Sequence, residues 1–196
     1  MRTGRQLVAA CLCATLAACG GSSAGGGSEA LSLAQQRDAL RDEVLSEDVS
    51  NPGRLPQTGT ARYDGVMTAR LPTGIAGQRR EYLGDLRLNV DFGADRNQVR
   101  GRAHGFETQA GRALSGELAI RGGDLYRGTD PDANYTFTGN VDGRLRDAAG
   151  RYDIDAAIEG EFRGRRRTGV SGLLFGDVTG PSGQDIFDGD FVASRN

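Results

Sequence analysis

From Arg151 to Arg163 the chain alternates without a break. Tyr152, Ile154, Ala156, Ile158, Gly160 and Phe162 form one series; Asp153, Asp155, Ala157, Glu159, Glu161 and Arg163 form the other. Successive side chains of a strand point to opposite faces, so a period of two writes one apolar and one charged surface, whereas a helix would smear both around its axis. The pattern recurs. Leu86, Leu88, Val90 and Phe92 alternate with Asp85, Arg87, Asn89 and Asp91, and Leu114, Gly116, Leu118 and Ile120 with Ser115, Glu117, Ala119 and Arg121.

Read this way, the sequence predicts strands over 60–71, 82–92, 98–107, 112–121, 134–142, 151–163, 168–175 and 185–194. Turn formers separate them: the Gly93–Asn97 run, Gln109-Ala110-Gly111, Asp130-Pro131-Asp132, Asp147–Gly150 and Gly180–Gly183. Eight short, evenly spaced strands predict an all-β fold, an eight-stranded antiparallel up-and-down β-barrel, whose closure removes exposed edges; a sandwich is the alternative. Glycines at inward-phase positions (Gly65, Gly101, Gly116, Gly139, Gly160 and Gly172) leave room for Tyr63, Phe137, Phe162 and Phe191 to pack across a filled interior. An inverted, membrane-spanning barrel would also alternate. The chain has no Trp, five Tyr and seven Phe, too few aromatics for two interfacial girdles.

Upstream of the strands the character changes. Residues 1–18 open with Arg2 and Arg5 and continue into an apolar run too short to span a bilayer, the form of a secretory signal. The run ends in Leu16-Ala17-Ala18-Cys19-Gly20, which resembles the lipobox of bacterial lipoproteins and makes Cys19 the expected lipidation site and first mature residue. Acyl chains there, at about 0.8 kcal/mol per buried methylene, would anchor the protein to a membrane without spanning it. A Gly/Ser tether over 20–28 follows, then a short N-terminal helix within 29–48, with Leu33, Leu40 and Val44 near one face. Such a helix could cross a barrel end or stand as a solvated stalk. The expected organisation is a signal peptide over 1–18, a lipidated, tethered and helical segment over 19–56, and a barrel over 57–196.

Composition narrows the chemistry. All three cysteines lie in the first twenty of 196 residues, so no disulfide, thiolate metal site or cysteine nucleophile is expected in the barrel. The formal net charge of −2 gives no general attraction to nucleic acid, and every basic side chain is Arg. His104 is the only histidine, on the charged phase of its strand, and reads as a surface imidazole rather than part of a triad or a zinc site. Asp153, Asp155, Glu159 and Glu161 form a row of surface carboxylates more than an acid/base pair. Asp130 to Asn134 imitates the start of a calcium-binding loop, but Tyr135 stands where the sharp turn needs Gly. No catalytic, cofactor or metal residue is expected, and the protein is not expected to be an enzyme. The candidate partner contacts are Arg165, Arg166 and Arg167 at a turn and Tyr126 in the 122–133 loop.

Several segments resemble the β-barrel domain of transferrin-binding protein B and related surface lipoproteins: GTARYDG from Gly59, GDLRLNVDF from Gly84, GEFRG from Gly160, VSGLLFG from Val170 and GDFVA from Gly189. The resemblance covers about residues 57–195. It implies an outer-membrane lipoprotein, often displayed outside the cell, that binds a protein or iron-source ligand through its loops; a monomer facing the cell surface or the periplasm is expected. One barrel with no β-rich handle domain before it is expected, so transferrin binding is not carried over. A lipocalin-like carrier of a small apolar ligand and a structural envelope lipoprotein are the alternatives.

Overall fold

The computed structural model describes residues 32–75 and 77–196. The expected signal segment, Cys19 and the Gly/Ser tether lie outside them. Eight strands follow one helix: α1 (Leu33–Leu45), β1 (Thr60–Pro72), β2 (Arg79–Asp91), β3 (Val99–Glu107), β4 (Ser115–Leu125), β5 (Phe137–Asp147), β6 (Gly150–Arg163), β7 (Gly169–Gly180) and β8 (Gly183–Arg195). Each strand pairs antiparallel with the next and β1 pairs with β8, which closes the barrel in sequence order. The architecture is the eight-stranded up-and-down barrel that the alternation predicts, and the sandwich is set aside.

The apolar series turns inward. Tyr63, Leu88, Leu118, Val141, Ile158, Phe162 and Phe187 are all fully buried. Across the interior, Phe162 contacts Tyr63, Phe92 and Phe137 at ring-centroid distances of 5.9, 5.8 and 5.5 Å, and Phe137 contacts Phe191 at 6.2 Å. These tilted pairs suit aromatic quadrupoles. Gly160 makes them possible, because a Cβ there would sit 2.5 Å from Phe137 Cζ and 2.7 Å from Phe191 Cζ. Gly116 departs from the expected role. It is exposed, with φ of 106°, and serves its own backbone rather than the aromatic packing.

Several strand limits also shift. β4 runs through Gly122-Gly123 to Leu125 instead of stopping at 121, because Gly122 adopts φ of 64° and forms a bulge where the register jumps between Arg121 and Asp124. A second bulge at Gly105 (φ 67°) resets β3, so that Phe106, outward by strict alternation, is fully buried. β5 begins at Phe137 rather than 134, since Asn134 N–H donates to the Asp130 carbonyl (2.9 Å) within a turn; it then continues to Asp147. β7 extends past Phe175 to Gly180, where it meets Gly183 across a two-residue turn.

α1 neither crosses a barrel end nor stands free. It lies on the outer wall against β1, β2, β7 and β8. A capping box starts it: Gln35 N–H donates to the Ser32 hydroxyl, and the Gln35 side chain accepts from Ser32 N–H. Val44 packs on Gly169, and Val66 and Val192, registered partners on the outward phase, are buried. Charge supplies the rest of the grip. Arg37 bonds Glu81 at 2.8 Å and Arg41 bonds Asp190 at 3.2 Å, beside the Arg70–Asp190 and Arg79–Asp188 pairs. Past the helix, Ser50 N–H donates to the Phe162 carbonyl, a 3₁₀ turn spans Pro52–Arg54, and Leu55 joins the barrel core. Among the described residues no helix is long and apolar enough to cross a membrane.

Candidate binding site

The β4–β5 loop and the β6–β7 turn both lie at the barrel end where β1 begins. The loop is shaped from within: Asp130 Oδ1 accepts from Asp132 N–H, and the Asp130 carbonyl accepts from the N–H groups of Ala133 and Asn134. The segment that imitates a calcium loop is therefore a side-chain-stabilised turn. Arg127 pins the loop's start to the barrel end, donating from Nη2 to the carbonyls of Pro56 (2.5 Å) and Phe92 (2.8 Å).

With its guanidinium committed inward, the loop stands over the outer wall and leaves an open groove of about 810 Å³ between Tyr126, Asn134, Tyr135, Thr138 and Glu159. Tyr126 is 43% exposed, and its hydroxyl lies 3.0 Å from Thr138 Oγ1. Tyr135 is half-buried. Desolvation, then the carboxylates of Glu159 and Glu161, push its hydroxyl above the usual tyrosine range. Glu161 is paired with Arg163, whereas no hydrogen bond or ion pair engages the Glu159 carboxylate among the described residues. The groove thus combines two tyrosine faces, an amide and an uncompensated carboxylate. Such a surface grips by ring contact and hydrogen bonding.

The expected arginine cluster separates into two roles. Arg165 and Arg166 are exposed at the turn. Arg167 belongs to the framework: it holds φ of 55°, its carbonyl accepts from the buried Tyr63 hydroxyl at 2.9 Å, and its Nη1 donates to the Arg54 carbonyl at 2.9 Å. Tyr126, Arg165 and Arg166 are thus available to a partner at this end of the barrel.

The carboxylate row is likewise not uniform. Arg144 and Arg151 hold Asp153 from both sides at 2.7 Å, and the Arg144 hydrogen bond is the main reason its carboxyl stays below the usual range. His104 is exposed on β3, paired in register with Asp85 and Glu117. Sequence reading missed Tyr135 and Glu159 as groove walls, because the loop fold alone brings them to Tyr126. It also passed over Leu173, Phe175 and Ile186, large apolar residues that are 48%, 48% and 63% exposed. Their signal was present, since Leu173 and Phe175 interrupt the polar phase of β7.

No protein-family model and no curated protein matches the chain. Among solved structures, it is similar to a point mutant of the vaccine antigen transferrin-binding protein B from Haemophilus parasuis Hp5, with 16% identity and a TM-score of 0.47. The match covers 76% of this chain and 29% of that one, so the chain spans less than a third of its neighbour's length. At that identity the likeness concerns the fold alone.

Proposed function

We propose that the protein is a lipid-anchored lipoprotein of the outer membrane whose barrel is a non-catalytic binding module. The anchor is Cys19, and the partner, a protein or an iron-source ligand, is held at the loop end by Tyr126 with Arg165 and Arg166. The observation that carries the reading is the open, two-tyrosine groove built onto a barrel whose interior is already filled by its own rings. A cup-like carrier of a small apolar molecule would need the space those rings occupy.

The test has two arms. A Cys19→Ala variant leaves the membrane fraction if the anchor is correct; an unchanged membrane fraction contradicts it. Protein displayed on intact cells is digested by external protease if it faces outward, and it captures a saturable partner that Tyr126→Ala fails to hold. Saturable binding that survives both Tyr126→Ala and an Arg165→Glu/Arg166→Glu variant would remove the loop end from the account.

A further inference from the structure

The outer wall of the barrel is sorted by charge. Along one lateral row of registered residues, Asp64 on β1 is followed by Arg87, Arg102, Ala119, Asp142, Asp155 and Asp177 on β2 to β7. Like charges directly opposite each other on neighbouring strands are destabilising, and here two arginines and then three aspartates stand side by side. Intramolecular pairing relieves only part of this. Asp64 accepts from Arg62 and Arg87, and Asp142 pairs with Arg121. Among the described residues no hydrogen bond or ion pair reaches the side chains of Arg100, Arg102, Asp155 or Asp177, all of them exposed.

Each wall also has a shape. On the basic side, Arg62, Arg87, Arg100, Arg102 and Arg121, with one carboxylate, Glu117, line an open groove of about 760 Å³. On the acidic side, Leu173 and Phe175 project from β7, and Ile186 is registered with Asp177 on β8. Glu159 is registered with Leu173 and Asp155 with Asp177, so unpaired carboxylates flank the apolar knobs on the β6 side, while Arg79 and Arg70 hold the carboxylates on the β8 side. A contiguous exposed apolar patch rimmed by charge marks a contact surface. Guanidinium groups both pair with carboxylates and stack on aromatic rings.

We propose that the occupant of the arginine groove is a second copy of this chain, docking through its β6–β8 wall: Phe175 enters the groove while Asp155 and Asp177 meet Arg100 and Arg102. This self-association departs from the monomer expected from sequence, and its wall borders the β4–β5 groove at Glu159. The arginine groove and the β6–β8 wall are different patches on different strands, so the contact is head-to-tail: one copy is left with a free wall, the other with a free groove.

The experiment is sedimentation velocity on the purified full-length chain. Wild type forms concentration-dependent species, and their association weakens about tenfold or more between low salt and about 0.15 M. Arg100→Glu/Arg102→Glu and Phe175→Arg/Asp177→Arg are each monomeric alone, yet form a 1:1 complex when mixed, because each retains or restores one half of the contact. All four positions are exposed, so circular dichroism should report an unchanged barrel; Arg100→Gln/Arg102→Gln gives a milder second variant, also expected to be monomeric. Wild type that stays monomeric at every concentration and salt overturns the proposal. So does a mixture that gives no complex, or a groove that retains an unrelated acidic protein while the chain does not self-associate.

Discussion

The hydroxyl of Tyr63, buried in the barrel, donates to the carbonyl of Arg167 on the β6–β7 turn at 2.9 Å. The contact ties the first strand to the turn that carries Arg165 and Arg166, at a non-glycine residue with φ of 55° whose N–H also donates to the Gly164 carbonyl. Burial, against the lowering influence of Arg195 and Arg167, pushes the Tyr63 hydroxyl up to about 12. A group whose folded value is raised stabilises fully below its unfolded value, about 10 for tyrosine. That contribution is lost as pH rises through the folded value. Wild type should therefore lose stability between about pH 10 and 12. Tyr63→Phe should be less stable at neutral pH by about 0.5–1.5 kcal/mol, with a shallower alkaline loss. Urea unfolding across that range checks both; an identical alkaline slope in the variant would count against the assignment.

Acid should act through the arginine-held aspartates. For Asp64, partial burial works to raise the carboxyl, but the hydrogen bonds from Arg87 and Arg62 outweigh it and the group is lowered. Asp153 is lowered chiefly by its hydrogen bond from Arg144. A depressed carboxylate stabilises fully above its unfolded value, near about 4, and the contribution disappears as pH falls through the folded value. The urea midpoint should hold from neutral pH down to about pH 5 and fall below about pH 4. Asp64→Asn/Asp153→Asn should start lower and fall less steeply. Parallel acid curves for variant and wild type would refute the role given to these pairs.

Much of the barrel was legible in the sequence because a period of two is a direct record of which face is buried. Tyr152 to Phe162 and Leu86 to Phe92 turn inward as their alternation predicts. The shifts came where glycine changes the phase: Gly105 and Gly122 take positive φ, and an alternating pattern carries no mark of the inserted residue that moves Phe106 inside. The helix was legible as a helix but not in its placement, since Arg37, Arg41 and their partners Glu81 and Asp190 are distant in sequence. The site was legible only in part. Tyr126 could be singled out in its loop, whereas Tyr135 and Glu159 join it only through the turn folded around Asp130.

Gly160 offers a packing test. Adding a methyl group there places it against the Phe137 and Phe191 rings, which cannot both retreat from a filled interior. Gly160→Ala should cost about 1–3 kcal/mol. Gly128→Ala, in the β4–β5 loop with nothing within 4 Å of the added atom, should stay within about 0.5 kcal/mol of wild type. Denaturant midpoints for the two variants give the comparison, and equal midpoints would mean that the ring cluster is not tightly packed.

If recognition takes place on the outside of a filled barrel, at the end that carries the β4–β5 loop, the most direct measurement is site-specific photocross-linking on intact cells. A photoreactive side chain placed at Tyr126 is compared with one at Arg146, exposed at the opposite end. The account predicts a saturable adduct from position 126 and none from position 146. Adducts of equal yield from both positions, or a partner captured from position 146 alone, would contradict it.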